Sequence, residues 1–303
     1  MIYTITCNPA LDCTLTAEEW QKGDRGVISP GGKGINVSRV LTALGVDNRA
    51  LGFVAGDNGA ALERALRDKG VDTEFICLPE GETRVNVKIS GPTEMEKNGV
   101  GVPIPEAALE QLERQLTDLV AADDVVCLCG SLPPKTPSDT YGRLVRHLRR
   151  LGVTRIVVDT GGEPLLAALV AKPWVIKPNR DELAVAVERD LPTIDSVADA
   201  ARELRAQGAQ NVLVTLGGDG ALLCTADGTV RYQPAPDGTV IGTVGAGDST
   251  VAGFLTEYLR SGDWDAALRY GVVCGSATAF SDGLADAAMI EKVTACLPKS
   301  DRL

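Results

Sequence analysis

Histidine is nearly missing from this chain, with His147 the only one in 303 residues. It stands in the basic stretch Arg146–Arg150 and is expected on an exposed helix face. Such scarcity argues against Ser-His and Cys-His nucleophiles, H-E-x-x-H zinc sites and histidine general bases. Acid–base work is left to a carboxylate, a lysine or a cysteine. The eight cysteines, at 7, 13, 77, 127, 129, 224, 274 and 296, form no C-x-x-C pair, and several lie in apolar strand-like runs. They read as buried, reduced thiols of a cytoplasmic protein, not as a disulfide framework or a zinc site. Positive charge is also short. Thirty Lys and Arg face 41 Asp and Glu, for a net charge of −11 and a pI near 4.7, which argues against nucleic acid or an anionic membrane as the main partner. No apolar run reaches the roughly 18 residues of a membrane span. The N-terminal MIYTITCNPALD reads as a first core strand, not a targeting segment. Neither the Walker A spacing nor the dinucleotide G-x-G-x-x-G occurs.

What is present is enough apolar residue, 44%, to bury a large core. Short apolar runs, at Ile2–Cys7, Ala50–Val54, Val125–Cys129, Arg155–Asp159, Trp174–Lys177 and Val212–Leu216, read as strands. Between them, amphipathic windows predict helices over Asn36–Leu44, Ala60–Lys69, Glu106–Ala121, Pro137–Leu151, Glu163–Ala168, Asp181–Glu188, Ser196–Ala206, Gly247–Leu259, Trp264–Phe280 and Ala288–Ala295. This alternation predicts an α/β fold, a mostly parallel sheet covered by helices on both faces. Ligands of such sheets bind outside the strands' carboxyl ends, and Gly130–Pro133, Lys177–Asn179 and Leu216–Gly220 follow strand ends. Two segments break the rhythm, Leu11–Ile28 and Thr73–Glu96. Both look strand-rich, and Thr83–Ile89 alternates with period two, so a small sheet is expected to project as a lid from one domain spanning 1–303.

Two glycine-rich segments carry the chemistry. In Thr243–Phe254 a tight loop enters an apolar helix, which would leave the Gly245, Ala246 and Gly247 amides free to meet an anion. Asp248 follows as either the helix N-cap or a base that takes a hydroxyl proton during phosphoryl transfer. A free aspartate has a pKa of about 3.9, so correct placement is expected to matter more than a raised pKa. In Pro30–Arg39, Gly31, Gly32 and Gly34 permit close backbone approach, while Lys33 and Asn36 offer donors to a polyol. Arg84, Asn86 and Lys88 share one face of the lid strand, where Arg84 can grip a phosphate in bidentate fashion. Asp12 suits sugar hydroxyls or a turn, and Ser131 a phosphate contact or a turn. Asn179 and Glu182 fit either a capping box or a hydrated Mg²⁺. Gly217, Gly218 and Gly220 fit a nucleotide loop or a plain hairpin turn.

In order and placement, Pro30–Arg39, Gly130–Pro133, Lys177–Glu182 and Thr243–Ser249 resemble the signatures of the PfkB (ribokinase-like) carbohydrate kinases along nearly the whole chain. Asn8–Asp12, Gly81–Lys88, Ala43–Gly45 and Gly275–Ser281 are similar to the branch of 1-phosphofructokinases and tagatose-6-phosphate kinases. Asn98–Pro103 departs from that branch by lacking its usual Gly-Pro-Gly. The resemblance implies ATP and Mg²⁺ use, with a monovalent cation as a further candidate ion, and makes Asp248 the base. It implies transfer of the γ-phosphoryl to the 6-OH of fructose 1-phosphate. The rivals are tagatose 6-phosphate as acceptor and a catalytically silent sugar-phosphate sensor. Asp12, Gly31, Gly32 and Asn36 are then expected on sugar hydroxyls, and Arg84 on the existing phosphate with Lys33, Lys88 and Ser131. Lys177, Asn179, Thr215, Gly217 and Gly220 are expected around the nucleotide, and Asn179 with Glu182 around Mg²⁺ and its waters. The lid's apolar face suggests a homodimer.

Overall fold

The computed structural model describes residues 1–90, 95–298 and 301–302. Along the chain run β1 (Ile2–Thr6), β2 (Ala10–Thr16), α1 (Ala17–Lys22), β3 (Val27–Gly31), α2 (Lys33–Ala43), β4 (Asn48–Ala55), α3 (Gly56–Arg67), β5 (Asp72–Leu78), β6 (Arg84–Ser90) and β7 (Met95–Lys97). There follow α4 (Glu106–Leu119), β8 (Val125–Cys129), α5 (Thr140–Arg150), β9 (Arg155–Asp159), α6 (Gly162–Leu169), β10 (Val175–Ile176), α7 (Arg180–Ala186), α8 (Ile194–Gln207) and β11 (Asn211–Thr215). The last part comprises β12 (Ala221–Cys224), β13 (Val230–Gln233), α9 (Ala246–Ser261), α10 (Trp264–Ala279), α11 (Ala287–Thr294) and β14 (Asp301–Arg302).

Strand β8 shows why the main sheet forms. It is apolar throughout, because alternate residues enter different cores. Val126 and Leu128 join a cluster with Leu109, Leu112 and Leu116 of α4 and Leu144 and Leu148 of α5. Val125, Cys127 and Cys129 join one with Val37 and Leu41 of α2 and Phe254 and Leu255 of α9. The sheet has ten strands in the order β14-β13-β12-β11-β10-β9-β8-β1-β4-β5. It is parallel from β5 to β11 and antiparallel beyond. The order reverses at β1, which has β4 on one side and β8 on the other, the place where such sheets open a crevice.

The lid is a four-stranded sheet, β3-β2-β6-β7, and here two expectations are corrected. The segment Leu11–Ile28 contains α1, closed by a capping box between Thr16 and Glu19 and by Gly23 in the left-handed region. With no buried residue, α1 has no apolar periodicity to announce it. The segment Thr73–Glu96 divides: β5 pairs with β4 in the main sheet, and only β6 and β7 belong to the lid. An edge strand is half-exposed like a lid strand, so its period-two pattern does not say which sheet it joins. His147 is half-buried against Thr117 of α4, not on an open face. All eight cysteines are free; five are buried, whereas Cys77 and Cys296 are exposed. Among the described residues no helix is long and apolar enough to cross a membrane.

Candidate active site

The carboxyl ends of β1, β8, β10 and β11, the lid, and the N-termini of α2 and α9 enclose a cleft of about 760 Å³. Both helices begin on glycine. Gly245 is the N-cap of α9 at φ 82° and Gly32 that of α2 at φ 125°, and neither helix carries a side-chain cap. The Ala246 amide donates to the Thr243 carbonyl at 3.2 Å, and the other first-turn amides, which no side chain caps, form a ready anion site. Gly32 has a second constraint, since a Cβ there would lie 2.9 Å from the Thr6 side chain.

Asp248 lies in the first turn of α9 and is not its cap, which removes that reading of the sequence. The carboxylate is 7% exposed and accepts a 2.8 Å hydrogen bond from Asn36 Nδ2, itself 8% exposed, across 212 residues of chain. Burial, and then the charge of Asp159, raise the Asp248 pKa to about 6, while the Asn36 bond, Lys177 and Lys33 act to lower it. Placement is expected to matter more than basicity, and the environment adds to it by making Asp248 a stronger base than a free aspartate.

Asp159 is the functional residue that the sequence reading missed. Fully buried at the end of β9, its Oδ1 accepts from Lys33 Nζ at 2.8 Å and pairs with Lys177 Nζ at 3.3 Å. Burial pushes the Asp159 carboxyl up, but the two ammonium groups hold it below the usual carboxylate range. Burial disfavours the Lys33 charge, yet Asp159 and Glu182 together keep its pKa above the ordinary value. Lys33 also reaches Glu182 Oε1 at 3.2 Å. It therefore stands with the Asp159–Glu182 group. Lys177 is 3% exposed and its Nζ lies 3.5 Å from where a Cβ on Gly247 would be, so its charge borders the α9 loop. Asn179 and Glu182 form a reciprocal capping box on α7, at 2.7 and 2.8 Å. The cap is real, and it leaves Glu182 Oε1 to Lys33.

At the lid end, Asp12 accepts from Asn86 Nδ2 at 2.8 Å and from Lys88 Nζ at 3.0 Å. Lys88 is thus paired, whereas Arg84 is anchored only through backbone oxygens, on Asn8 at 3.1 Å and on Gly99 at 3.5 Å. Arg84 Nε is buried without a partner. Gly31 does not line the cleft; it backs Asp12, where a Cβ would meet the carboxylate at 2.6 Å. Ser131 accepts from Asn8 Nδ2 at 3.2 Å. Thr215, Gly217, Gly218 and Gly220 line the opposite end, in the β11–β12 turn, with Ala235, Pro236, Gly238 and Phe280, which the sequence reading did not single out. Apart from Gly31, Gly34, Asn86 and Glu182, the anticipated residues line this one cleft.

The profile of the pfkB family carbohydrate kinases matches residues 2–291. The chain is 38% identical over 298 residues to the 1-phosphofructokinase of Bacillus subtilis, covering 97% of each. It is 35% identical over 266 residues to that of Escherichia coli, covering 84% of this chain and 83% of that one. Phosphofructokinase-2 of Escherichia coli, solved with substrates and products, aligns with a TM-score of 0.89 at 30% identity over 98% of this chain and 99% of that one. Ribokinase of Arabidopsis thaliana, solved with ribose and ATP, aligns with a TM-score of 0.76 at 19% identity over 97% and 98%, a likeness of fold.

Proposed function

The chain belongs to the pfkB family of carbohydrate kinases, and from that premise we propose that it phosphorylates the 6-OH of fructose 1-phosphate, giving fructose 1,6-bisphosphate and ADP. It is an ATP-dependent sugar kinase. The observation that carries the site assignment is Asp248, a buried carboxylate on Asn36 at the uncapped start of α9. In this reading Asp248 accepts the 6-OH proton as the oxygen attacks the γ-phosphorus, and the bond to the β,γ-bridging oxygen breaks to release ADP. The amide of Gly247, with Lys177 and Lys33, takes up charge on the transferred group. Asp12, Gly32 and Asn36 hold sugar hydroxyls, and Arg84 with Ser131 holds the 1-phosphate. The 1-phosphofructokinases at 35–38% identity support this acceptor.

The donor set fits a hydrated Mg²⁺. Asp159 Oδ2 is a buried acceptor without a partner, Glu182 is close by on Lys33, and no three metal-ligating side chains cluster among the described residues. An ion bound mainly through phosphates and water needs no such cluster. When bound, it would neutralise phosphate charge, with Asp159, Asn179 and Glu182 orienting its waters. The protein is further proposed to be a homodimer through the lid, whose outer face exposes Ile28 and Met95. A panel of phosphorylated ketohexoses assayed for ADP release tests the function. Fructose 1-phosphate should give the highest kcat/KM; a preference for tagatose 6-phosphate would refute the acceptor, and no turnover at all would refute the reaction.

A further inference from the structure

Residues 98–104, which carry the chain from β7 back to α4, have no part in the chemistry above, yet two of their glycines are pressed against the acceptor end of the cleft. Gly101 is buried, and a Cβ there would lie 2.0 Å from Asn8 Oδ1 and 2.7 Å from its Cγ. Its backbone is not in the left-handed region, so the missing side chain is a matter of space, not of φ. Asn8 lines the cleft: its side chain donates to Ser131 and its carbonyl accepts from Arg84. Gly99 is similarly confined, with a Cβ position 2.5 Å from the Val85 carbonyl. The Gly99 amide donates to Asn86 Oδ1 at 3.2 Å. Because that oxygen is occupied, the Asn86 amide can turn only its Nδ2 toward Asp12, which accepts at 2.8 Å. Asn86 is 7% exposed and does not line the cleft. The strip is held at its far end by Ile104, buried in the main core, and Val102, packed against it.

We propose that Gly99–Gly101 is a positioning strip for the acceptor: Gly101 acts through Asn8 on Ser131 and Arg84, and Gly99 through Asn86 on Asp12. Neither glycine nor Asn86 touches substrate. A departure from the usual Gly-Pro-Gly thus keeps glycine where contact with Asn8 and the β6 backbone requires it. The proposal rests on the reading that this end of the cleft takes the sugar phosphate.

The test is Gly101→Ala made both in the parent and in an Asn8→Ala background, with KM for fructose 1-phosphate and for ATP measured separately. In the parent, displacement of Asn8 should raise the sugar KM about tenfold, the scale of one misplaced polar contact, with the ATP KM held within about twofold. In the Asn8→Ala background the clash is gone, and the same substitution should change the sugar KM by less than about twofold. Equal rises in both KM values, or a full tenfold cost in the Asn8→Ala background, would overturn the strip. The second comparison stands even if the single variant folds poorly. Asn86→Ala should likewise raise the sugar KM and spare that for ATP; an unchanged sugar KM would remove the Gly99 arm. Failure of the functional reading has a different signature: Asn8→Ala alone would then raise the ATP KM and leave the sugar KM unmoved.

Discussion

Asp248 serves two ends that oppose each other. Burial and the neighbouring Asp159 make its charge costly in the folded protein, and the same two causes raise its basicity to a pKa of about 6. Since the folded pKa exceeds the ordinary value of 3.8, the fold is favoured at low pH and loses that advantage as pH rises from about 4 through 6. Asp248→Asn should therefore raise Tm at pH 7–8, by at most about 3 kcal/mol of stability, and the gain should fade toward pH 4. Thermal melts across that range test it; a gain independent of pH would rule out the charge as its cause. The same substitution should cost about 100-fold or more in kcat while leaving the sugar bound. The parent's kcat/KM should fall on the acid side of about pH 6. Near-full turnover by the variant, or an acid limb near pH 4, would remove Asp248 as the base. Asp248 could be singled out from sequence because it sits in a local motif. Asp159 could not. Its role depends on the parallel register that sets it beside Cys129 and on a lysine 126 residues away, and neither leaves a local pattern.

At the scale of elements, α7 shows how one pair of residues can support two readings at once. Asn179 and Glu182 close the capping box, while Glu182 also meets Lys33. Two substitutions separate the roles. Glu182→Gln can keep the reciprocal cap, since Gln serves at that position, but it loses the charge beside Lys33. Glu182→Ala loses both and should cost about 1 kcal/mol of stability. If Glu182 helps orient the waters of Mg²⁺, both variants should need several-fold more Mg²⁺ for half-maximal rate, with a lower Tm in the alanine variant alone. An unchanged Mg²⁺ requirement in Glu182→Gln would reduce Glu182 to a cap. The long helices were legible because each carries a buried stripe, as Leu109, Leu112 and Leu116 do in α4. The short α1 buries nothing and β5 is an edge, so both depend on partners that sequence does not name.

For the whole molecule, the lid is both a wall of the cleft and a sheet with an exposed apolar face. Strand register assigns its two faces. Asp12, Asn86 and Lys88 lie on the cleft side, and Ile28, Cys13 and Val87 lie in one row on the other. Val85 and Met95 share that outer face by the two-residue alternation of β6 and its pairing with β7. Ile28 is 63% exposed and Met95 58%, an apolar patch on a thin sheet that no element of the same chain covers at those residues. A second copy of the lid would bury the patch and stiffen the strands that carry Asp12 and Arg84. The expected outcome is a dimer in sedimentation equilibrium at micromolar concentration, and Ile28→Lys should shift it to monomer because a charge cannot be buried unpaired in such a face. The dimer should also support acceptor binding, so this variant should raise the KM for the sugar phosphate more than that for ATP. A parent protein that sediments as a monomer with full activity would refute the lid as an interface, and the lid would then serve only as a wall of the cleft.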